Sequence, residues 1–208
     1  MDIVSIMRDS RTSAANQDIN ARIASRVRAL RAERGVSLDT LAAKCAVSRS
    51  MISLVERGES SPTAVVLEKI ATGLGVPLAT LFEDSTAPAN PVSRRDDRTP
   101  WRDPQSGYLR RNISPANFPS LLQIVEVVLP AGAHVAYESG VRDTSIHQQI
   151  WVLQGSLEVT LGSATYRLAE DDCLAMLLDQ PTAFRNRTRK PTRYVVVLAS
   201  ENARASRR

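Results

Sequence analysis

Apolar residues recur every three or four positions along the first part of the chain, a spacing that predicts helices with one buried face. Ile19, Ile23, Val27 and Leu30 follow this spacing in the first segment. Four more segments with short apolar stripes follow before residue 84, each bounded by serine, glycine or proline. We therefore expect five short helices packed as an all-α bundle.

Two of these predicted helices lie close together in the sequence and carry signals at their ends. Ser37 and Ser48 stand where helix N-caps are expected, since a serine oxygen accepts a backbone N–H of the first turn. Gly58 ends the second helix, where a positive φ is favoured. Two capped helices joined by a tight turn predict a helix-turn-helix unit. The second helix of such a unit lies in the DNA major groove, with its first residues at the base edges.

The periodicity changes from helical to alternating at about Tyr108. Short runs rich in β-branched residues follow, among them L-L-Q-I-V-E-V-V-L, I-W-V-L-Q-G-S-L-E-V-T-L and R-Y-V-V-V-L-A, and turn-forming residues separate them. Regularly spaced short strands without intervening helices are typical of an all-β sandwich or barrel. A closed double sheet of this kind leaves few exposed edges.

A charged, proline-rich stretch between the two halves indicates a linker. Trp101 is an exception within it, and we expect this side chain to dock on one of the flanking domains. The patterns divide the chain into a polar arm, a helical domain, a linker, a β domain and a basic tail, at residues 1–18, 19–83, 84–107, 108–200 and 201–208.

The formal net charge of +5 is modest for a nucleic-acid-binding protein, and its distribution is more informative. Residues 1–84 hold 11 Lys and Arg against 10 Asp and Glu, a net charge of only +1. A nearly neutral domain still binds phosphates through one basic face, although a solvated helix face explains the same pattern. Five arginines crowd the first predicted helix: Arg22, Arg26, Arg28, Arg31 and Arg34.

The cysteine content argues against a secreted, disulfide-bonded protein. Cys45 and Cys173 are the two cysteines, they fall in different predicted domains, and their spacing matches no metal motif. No apolar run reaches the length of a membrane span. We therefore expect a cytoplasmic protein without a membrane partner.

The helical half resembles the Xre or phage-repressor type of helix-turn-helix domain. The resemblance rests on L-D-T-L-A-A-K-C-A-V-S-R-S-M-I-S-L-V-E-R-G and on P-T-A-V-V-L-E-K-I-A-T-G-L-G-V-P-L-A-T-L-F, and it covers about residues 20–83. It implies that the chain binds double-stranded DNA.

Particular residues acquire expected roles from this resemblance. Matching positions imply base reading by Arg49, Ser50 and Leu54, and phosphate contacts by Ser48, Ser53 and Arg57. A further match implies a buried carboxylate, Glu56, paired with Arg31 of the first helix. One position departs from the family pattern, because Ala46 stands where the turn usually has glycine. If this residue needs a positive φ, alanine costs on the order of 1 kcal/mol.

The β half resembles a cupin. The resemblance rests on L-P-A-G-A, W-V-L-Q-G-S-L-E-V, A-E-D-D-C and P-T-A-F-R-N, and it covers roughly residues 109–199. It implies a double-stranded β-helix, or jelly-roll, barrel. A repressor-type domain followed by a cupin is itself a known regulator architecture.

The cupin resemblance also places a set of side chains inside the barrel. Alternate positions of a strand share a face, so Gln148 would point inward with Ile150, and Thr182 with Phe184 and Asn186. An apolar cavity with a few polar groups suits a small organic ligand. The alternative is a core that these side chains simply fill.

Metal-binding cupins hold their metal with histidines and a glutamate, and this sequence departs from that pattern. Gln148 falls at the usual Glu position, Thr182 at the later His position, and the paired-His positions fall near residues 141–144, V-R-D-T. An amide and a hydroxyl make a poor transition-metal site. His147 is the nearest substitute, through a slip in register. We expect no metal, no other cofactor and no catalytic residues.

These patterns together predict a transcriptional regulator, with repression as the expected direction. A single recognition helix reads few base pairs, so we expect a homodimer on two half-sites about one helical turn apart. A small-molecule effector would bind in the cupin domain. Two other classes stay open: a cupin-type metalloenzyme tethered to DNA, and an antitoxin-like protein-binding module.

Overall fold

The computed structural model describes residues 19–83, 89–138 and 145–201. The predicted N-terminal arm, the first part of the predicted linker and nearly all of the predicted basic tail lie outside these ranges. The described residues form a helical region followed by a β-rich domain, as the sequence predicts. The first region holds four α-helices: residues 19–33 (α1), Leu38–Cys45 (α2), Arg49–Arg57 (α3) and Ala64–Gly73 (α4).

The prediction of five α-helices is wrong, because the fifth segment is a 3₁₀-helix, Leu78–Phe82. This segment is confined to five residues between the extended residues Pro77 and Glu83. Its hydrogen bonds span three positions, from Thr80 N–H to the carbonyl of Pro77 at 3.0 Å and from Glu83 N–H to that of Thr80 at 3.3 Å. A segment this short favours the tighter helix.

The predicted ends of the helix-turn-helix are confirmed. Ser37 accepts from the N–H of Thr40 at 3.0 Å, and Ser48 accepts from that of Met51 at 3.2 Å. Gly58 closes α3 with a φ of 71°. The caps therefore satisfy backbone groups at the start of α2 and at both ends of α3.

Helix α4 packs closely against α2 because Gly73 has no side chain. A Cβ added at Gly73 would lie 2.8 Å from the Cβ of Cys45 and 3.0 Å from a methyl carbon of Leu41. The core beneath this crossing is aliphatic, and it includes Ile23, Val27, Leu41, Ile52, Leu67 and Ile70.

The β domain consists of two antiparallel sheets. In chain order the strands β1 to β10 are Trp101–Arg102, Leu109–Asn112, Leu122–Leu129, His134–Tyr137, Ser145–Gln154, Leu157–Leu161, Ala164–Leu168, Cys173–Leu177, Thr182–Arg185 and Thr192–Glu201. Strands β1, β2, β3, β10, β5 and β8 form a six-stranded sheet in that order, and β4, β9, β6 and β7 form a four-stranded sheet. Backbone ladders in the described residues do not join the two sheets, so the closed barrel stays a prediction.

Alternating burial along the strands places the core between the sheets. In β5, Ile146, Gln148, Ile150 and Val152 are buried, and the residues between them are exposed. Such alternation is expected of a strand with one solvated face. The inward faces of the two sheets therefore determine what the interior of the domain can hold.

Trp101 is docked, and it contacts both flanking domains where we expected one. Its side chain is 2% exposed and makes edge-on contacts with Phe82, at 5.3 Å between ring centroids, and with Tyr108, at 5.9 Å. Phe82 ends the 3₁₀-helix and Tyr108 precedes β2, so the indole connects the helical domain to the larger sheet.

A buried carboxylate reinforces this connection. Asp103 is 2% exposed, and its Oδ1 accepts from the backbone N–H of Ala64, the first residue of α4, at 2.8 Å. Its Oδ2 accepts from the N–H and hydroxyl of Ser106 at 2.7 and 2.5 Å. A carboxylate is favoured at a helix N-terminus because the first N–H groups have no partner within the helix. The turn after β1 is thus hydrogen-bonded to α4.

Further polar contacts join the domains on either side. Gln123 of β3 donates to the carboxylate of Glu83 at 2.6 Å, and Arg26 of α1 lies 3.6 Å from the same carboxylate. Lys69 of α4 lies 2.8 Å from Glu138, which follows β4. No helix in the described part of the chain has the length and apolar character needed to cross a membrane.

Candidate DNA-binding surface and ligand cavity

Helix α3 buries one face and presents the other to solvent. Ile52 and Val55 are fully or nearly fully buried, as the apolar spacing requires. The six predicted DNA-contacting residues lie on the remaining surface of α3 and its cap. Ser48, Arg49, Ser50 and Arg57 are exposed, and Ser53 and Leu54 are half-buried.

Two arginines of α3 already have carboxylate partners. Nε of Arg49 lies 3.2 Å from Oδ1 of Asp39 in α2, and both side chains are largely exposed. Arg57 donates to Ser53 and lies 2.8 Å from Glu59, and this guanidinium lowers the pKa of the Glu59 carboxyl. Exposed ion pairs contribute little to stability, so phosphates or bases can replace these carboxylates.

Helix α3 is attached to α1 by the buried carboxylate of Glu56 and its partner Arg31, as the family resemblance implied. Nε and Nη2 of Arg31 donate to the two oxygens of Glu56 at 2.6 and 2.9 Å. Hydrogen bonding to Glu56 raises the pKa of Arg31, and Arg28 donates to the Glu56 carbonyl. The bidentate geometry fixes the position of α3 relative to α1.

The turn before α3 has the conformation that the family usually assigns to glycine. Ala46 has φ 51° and ψ 39°, in the left-handed region. The residue is exposed, so its methyl group is not compressed by the core. The cost is that of the backbone conformation alone.

A cavity of about 80 Å³ lies between the two sheets of the β domain. Valine, leucine and phenylalanine side chains form much of its wall, and polar groups are interspersed among them. Its lining from the β domain includes Arg110 and Val127 on β2 and β3, Gln148 on β5, Tyr194 and Val196 on β10, Tyr137 on β4, and Thr182 and Phe184 on β9.

The helical domain supplies another part of the cavity wall. Glu68 of α4 and Pro77 and Leu78, where the 3₁₀-helix begins, line the same cavity. A molecule held there would touch both domains. The cavity is therefore an interdomain site as well as the interior of the β domain.

Three tyrosines surround the cavity, of which Tyr108 and Tyr194 are buried and Tyr137 is half-buried. The hydroxyls of Tyr108 and Tyr137 are 3.2 Å apart and hydrogen-bonded, and the ring of Tyr194 stacks on Phe184. Burial raises the pKa of all three tyrosines, with nearby Tyr108 adding to the effect at Tyr137 and Tyr194. One hydroxyl proton of the Tyr108–Tyr137 pair is used between the two rings, and the other can donate to a ligand, as can the hydroxyl of Tyr194.

The five predicted ligand-binding residues divide into two groups. Gln148, Thr182 and Phe184 line the cavity. Ile150 and Asn186 are fully buried but are not among the lining residues. The Asn186 amide instead donates to the carbonyls of Leu129, Pro130 and Lys190 at 2.8–3.1 Å, and so holds the loop before β10.

No cluster of three or more His, Cys, Asp or Glu side chains suited to a metal occurs in the described ranges. His147 and His134 are exposed on β5 and β4. His147 lies on the opposite strand face from Gln148, so it does not line the cavity. The predicted paired-His positions, residues 141–144, lie outside the described residues.

Sequence reasoning missed Arg110, a buried cation that lines the cavity. It is 7% exposed, and its guanidinium carbon lies 5.2 Å from the centre of the Phe82 ring. In the run L-R-R-N two adjacent arginines give no sign of which one is buried. The neighbouring strand β3 distinguishes the two arginines, because Arg110 pairs with buried Val127 and Arg111 pairs with Glu126.

Comparisons with known proteins agree with the geometry of the helical domain. Residues 27–81 match the helix-turn-helix family HTH_3. The HTH-type transcriptional regulator SutR of Escherichia coli is 53% identical over 53 residues, which are 26% of this chain and 30% of that protein. The control protein C.MunI of Mycoplasma is 37% identical over 68 residues, 32% of this chain and 92% of that protein.

A solved structure is similar along most of the chain. It is that of an HTH_3 family transcriptional regulator from Vibrio cholerae, 25% identical in sequence, with a TM-score of 0.69. The match covers 90% of this chain and 99% of the other. The similarity therefore includes both the helical and the β domain.

Proposed function

The chain belongs to the HTH_3 helix-turn-helix family, and we propose on this premise that it is a transcriptional repressor that binds an inverted-repeat operator as a dimer. The observation that carries the proposal is the outward position of Arg49 and Ser50 at the capped start of α3. The Arg31–Glu56 ion pair supports it by fixing α3 from behind.

Each α3 would read one half-site in the major groove. Arg49 is the proposed base-reading residue, since arginine donates to guanine O6 and N7 in a bidentate manner. Leu54 contacts a thymine methyl, and Ser48, Ser53 and Arg57 bind phosphates. One recognition helix reads too few base pairs for useful specificity, so a second copy binds a half-site about one helical turn away.

The cavity of the β domain would sense a small organic effector. Because Glu68, Pro77 and Leu78 line it together with the sheets, the effector contacts the helical domain directly. Effector binding shifts the equilibrium between two arrangements of the DNA-binding helices. The size of the shift is set by the difference in the effector's affinity for the two arrangements. SutR and the Vibrio cholerae protein are transcriptional regulators. We accordingly propose that the cavity binds a ligand without a catalytic step.

Substitutions on α3 test the DNA-binding part of this proposal. Arg49→Ala should weaken operator binding by about 1–3 kcal/mol and relax the preference at one base-pair position. Arg57→Ala should weaken binding to all sequences alike and lower the salt dependence. Fluorescence anisotropy on an operator and its single-base variants measures both. Equal losses on every sequence for Arg49→Ala would remove this residue from the base-reading role.

A further inference from the structure

Arg110 is a buried cation whose hydrogen-bonding capacity is largely unused. Its side chain is 7% exposed and lines the cavity between the sheets. Nε and Nη2 are both buried and have no hydrogen-bond partner among the described residues. Buried charged groups in proteins are ordinarily paired, because a buried donor without a hydrogen-bond acceptor costs free energy.

The two nitrogens form one edge of the guanidinium, and this edge matches a carboxylate. The protein itself provides the comparison, since Arg31 uses the same two nitrogens to hold both oxygens of Glu56. Parallel N–H bonds of this kind favour planar, two-oxygen acceptors. The neighbouring Arg111, in contrast, has its carboxylate partner, Glu126, at 2.8 Å.

The rest of the cavity sets the size and character of the molecule. A volume of about 80 Å³ corresponds to about five to eight water-sized groups. Val127, Val135 and Val196 provide an apolar wall, and the protonated hydroxyls of the tyrosines provide donors. A compact acid with a short apolar or hydroxylated chain fits these dimensions.

Two carboxylates of the protein, Glu138 and Glu68, line the cavity and limit where an anion can lie. Glu138 is paired with Lys69 at 2.8 Å, at the rim, where the Glu138 side chain is 77% exposed. Glu68 projects from α4 on the side of the helical domain. The position favourable to an anion is therefore the one beside Arg110, on the wall formed by β2.

We propose that the cavity binds a compact organic carboxylate, and that the guanidinium of Arg110, whose Nε and Nη2 are covered in this structure, turns so that both nitrogens donate to the two carboxylate oxygens. This inference rests on the effector-sensing part of the proposed function and names the chemical class of the effector. Because Arg110 also contacts Phe82 of the helical domain, the carboxylate lies next to the interdomain contact made by Trp101.

The test is calorimetric titration of the full chain with matched pairs of small probes. Propionate, lactate and succinate are compared with propionamide, lactamide and succinamide, and with inorganic phosphate and sulfate. At least one carboxylate should bind, and its amide should bind on the order of ten- to a hundredfold more weakly, as expected for losing charge-assisted hydrogen bonds.

Variants then assign the binding to Arg110. Arg110→Gln should reduce the affinity for that carboxylate on the order of ten- to a hundredfold, and Arg110→Lys should restore part of it. Arg111→Gln makes the same charge change on the same strand and should leave the affinity within about twofold. If Arg110→Gln fails to fold by circular dichroism, Arg110→Lys alone decides, and affinity equal to that of the unaltered protein contradicts the proposal.

The outcomes separate this inference from the proposed function. No binding by any carboxylate, equal binding by an amide, or binding by phosphate alone overturns the carboxylate assignment. Operator affinity is measured in parallel with each probe. A neutral compound that shifts operator affinity supports effector sensing while refuting the carboxylate. A carboxylate that binds through Arg110 without changing operator affinity supports the site and refutes its regulatory role.

Discussion

Arg49 and Asp39 form an ion pair across the turn of the helix-turn-helix, with Nε of Arg49 3.2 Å from Oδ1 of Asp39. The side chain proposed to read a base is thus held by a carboxylate of the preceding helix until DNA replaces it. With side-chain exposures of 62% and 77%, the pair is accessible to solvent and screened by salt.

Asp39→Asn should therefore strengthen DNA binding. The change removes a competitor for Arg49 and a negative charge near the phosphates, and we expect a gain of about 0.2–1 kcal/mol, roughly 1.5- to fivefold in affinity. Anisotropy titrations at low and moderate salt measure the effect. Asp179→Asn, an exposed position of the β domain, makes the same charge change and should have little influence. Weaker binding by Asp39→Asn would show that Asp39 positions Arg49 productively.

Ala46 offers a test of stability in the turn. Its φ of 51° favours glycine, so Ala46→Gly should raise the free energy of unfolding by about 0.5–1 kcal/mol. Ala43→Gly, on the exposed face of α2, should instead lower it by about 1 kcal/mol, because glycine disfavours helix interiors. Urea unfolding compares the variants. A loss of stability in Ala46→Gly would mean that the left-handed conformation carries no penalty here.

The helical domain was predictable to a large extent because its signals are local. Ser37, Ser48 and Gly58 act on backbone groups within a few residues of themselves, so their positions in the sequence determine their roles. The prediction of a fifth α-helix failed for a physical reason that is also local. Periodicity alone does not distinguish five residues, four of them apolar, in a 3₁₀-helix from one turn and a half of α-helix.

The cavity was predictable only in part because it depends on contacts between distant segments. Strand parity correctly placed Gln148, Thr182 and Phe184 toward the interior. The alternation of side chains along a strand does not show how far along that strand a cavity extends, and Ile150 is not among the residues that line the cavity. Glu68 and Leu78 reach the cavity only because the domains dock through Trp101, and no local pattern encodes that arrangement.

Asp103 should determine how well the cavity communicates with the DNA-binding domain. Asp103→Ala removes the acceptor for the Ala64 N–H and should destabilise the docked arrangement by about 1–3 kcal/mol. Limited proteolysis should then cut faster between residues 89 and 100. Asp96→Ala, at an exposed position within that same segment, makes the same change and serves as the control. Unchanged cleavage in Asp103→Ala would show that this hydrogen bond does not hold the domains together.

Glu83 should make domain docking depend on pH. Burial raises the pKa of its carboxyl, against the opposing influence of Arg26 and Gln123. The folded state therefore binds this proton more tightly than the unfolded state does. The stability that Glu83 contributes is present below its unfolded pKa of about 4.3 and is lost as the pH rises through the higher folded value.

The comparison of the protein with Glu83→Gln isolates this effect from other carboxylates. On acidification from pH 7 to pH 4.5, the melting temperature of the unaltered protein should rise relative to that of Glu83→Gln. Glu33→Gln, at an exposed position of α1, should show no such divergence. A relative fall of the unaltered protein on acidification would mean that the ion pair with Arg26 outweighs burial.

Sequence-specific reading of DNA by two copies of α3 is tested by selection of bound DNA from a random pool with the purified protein at physiological salt. We expect enrichment of an inverted repeat with half-sites about one helical turn apart, and a loss of preference at one position of each half-site for Arg49→Ala. A pool that remains unenriched after repeated rounds would contradict sequence-specific recognition by α3.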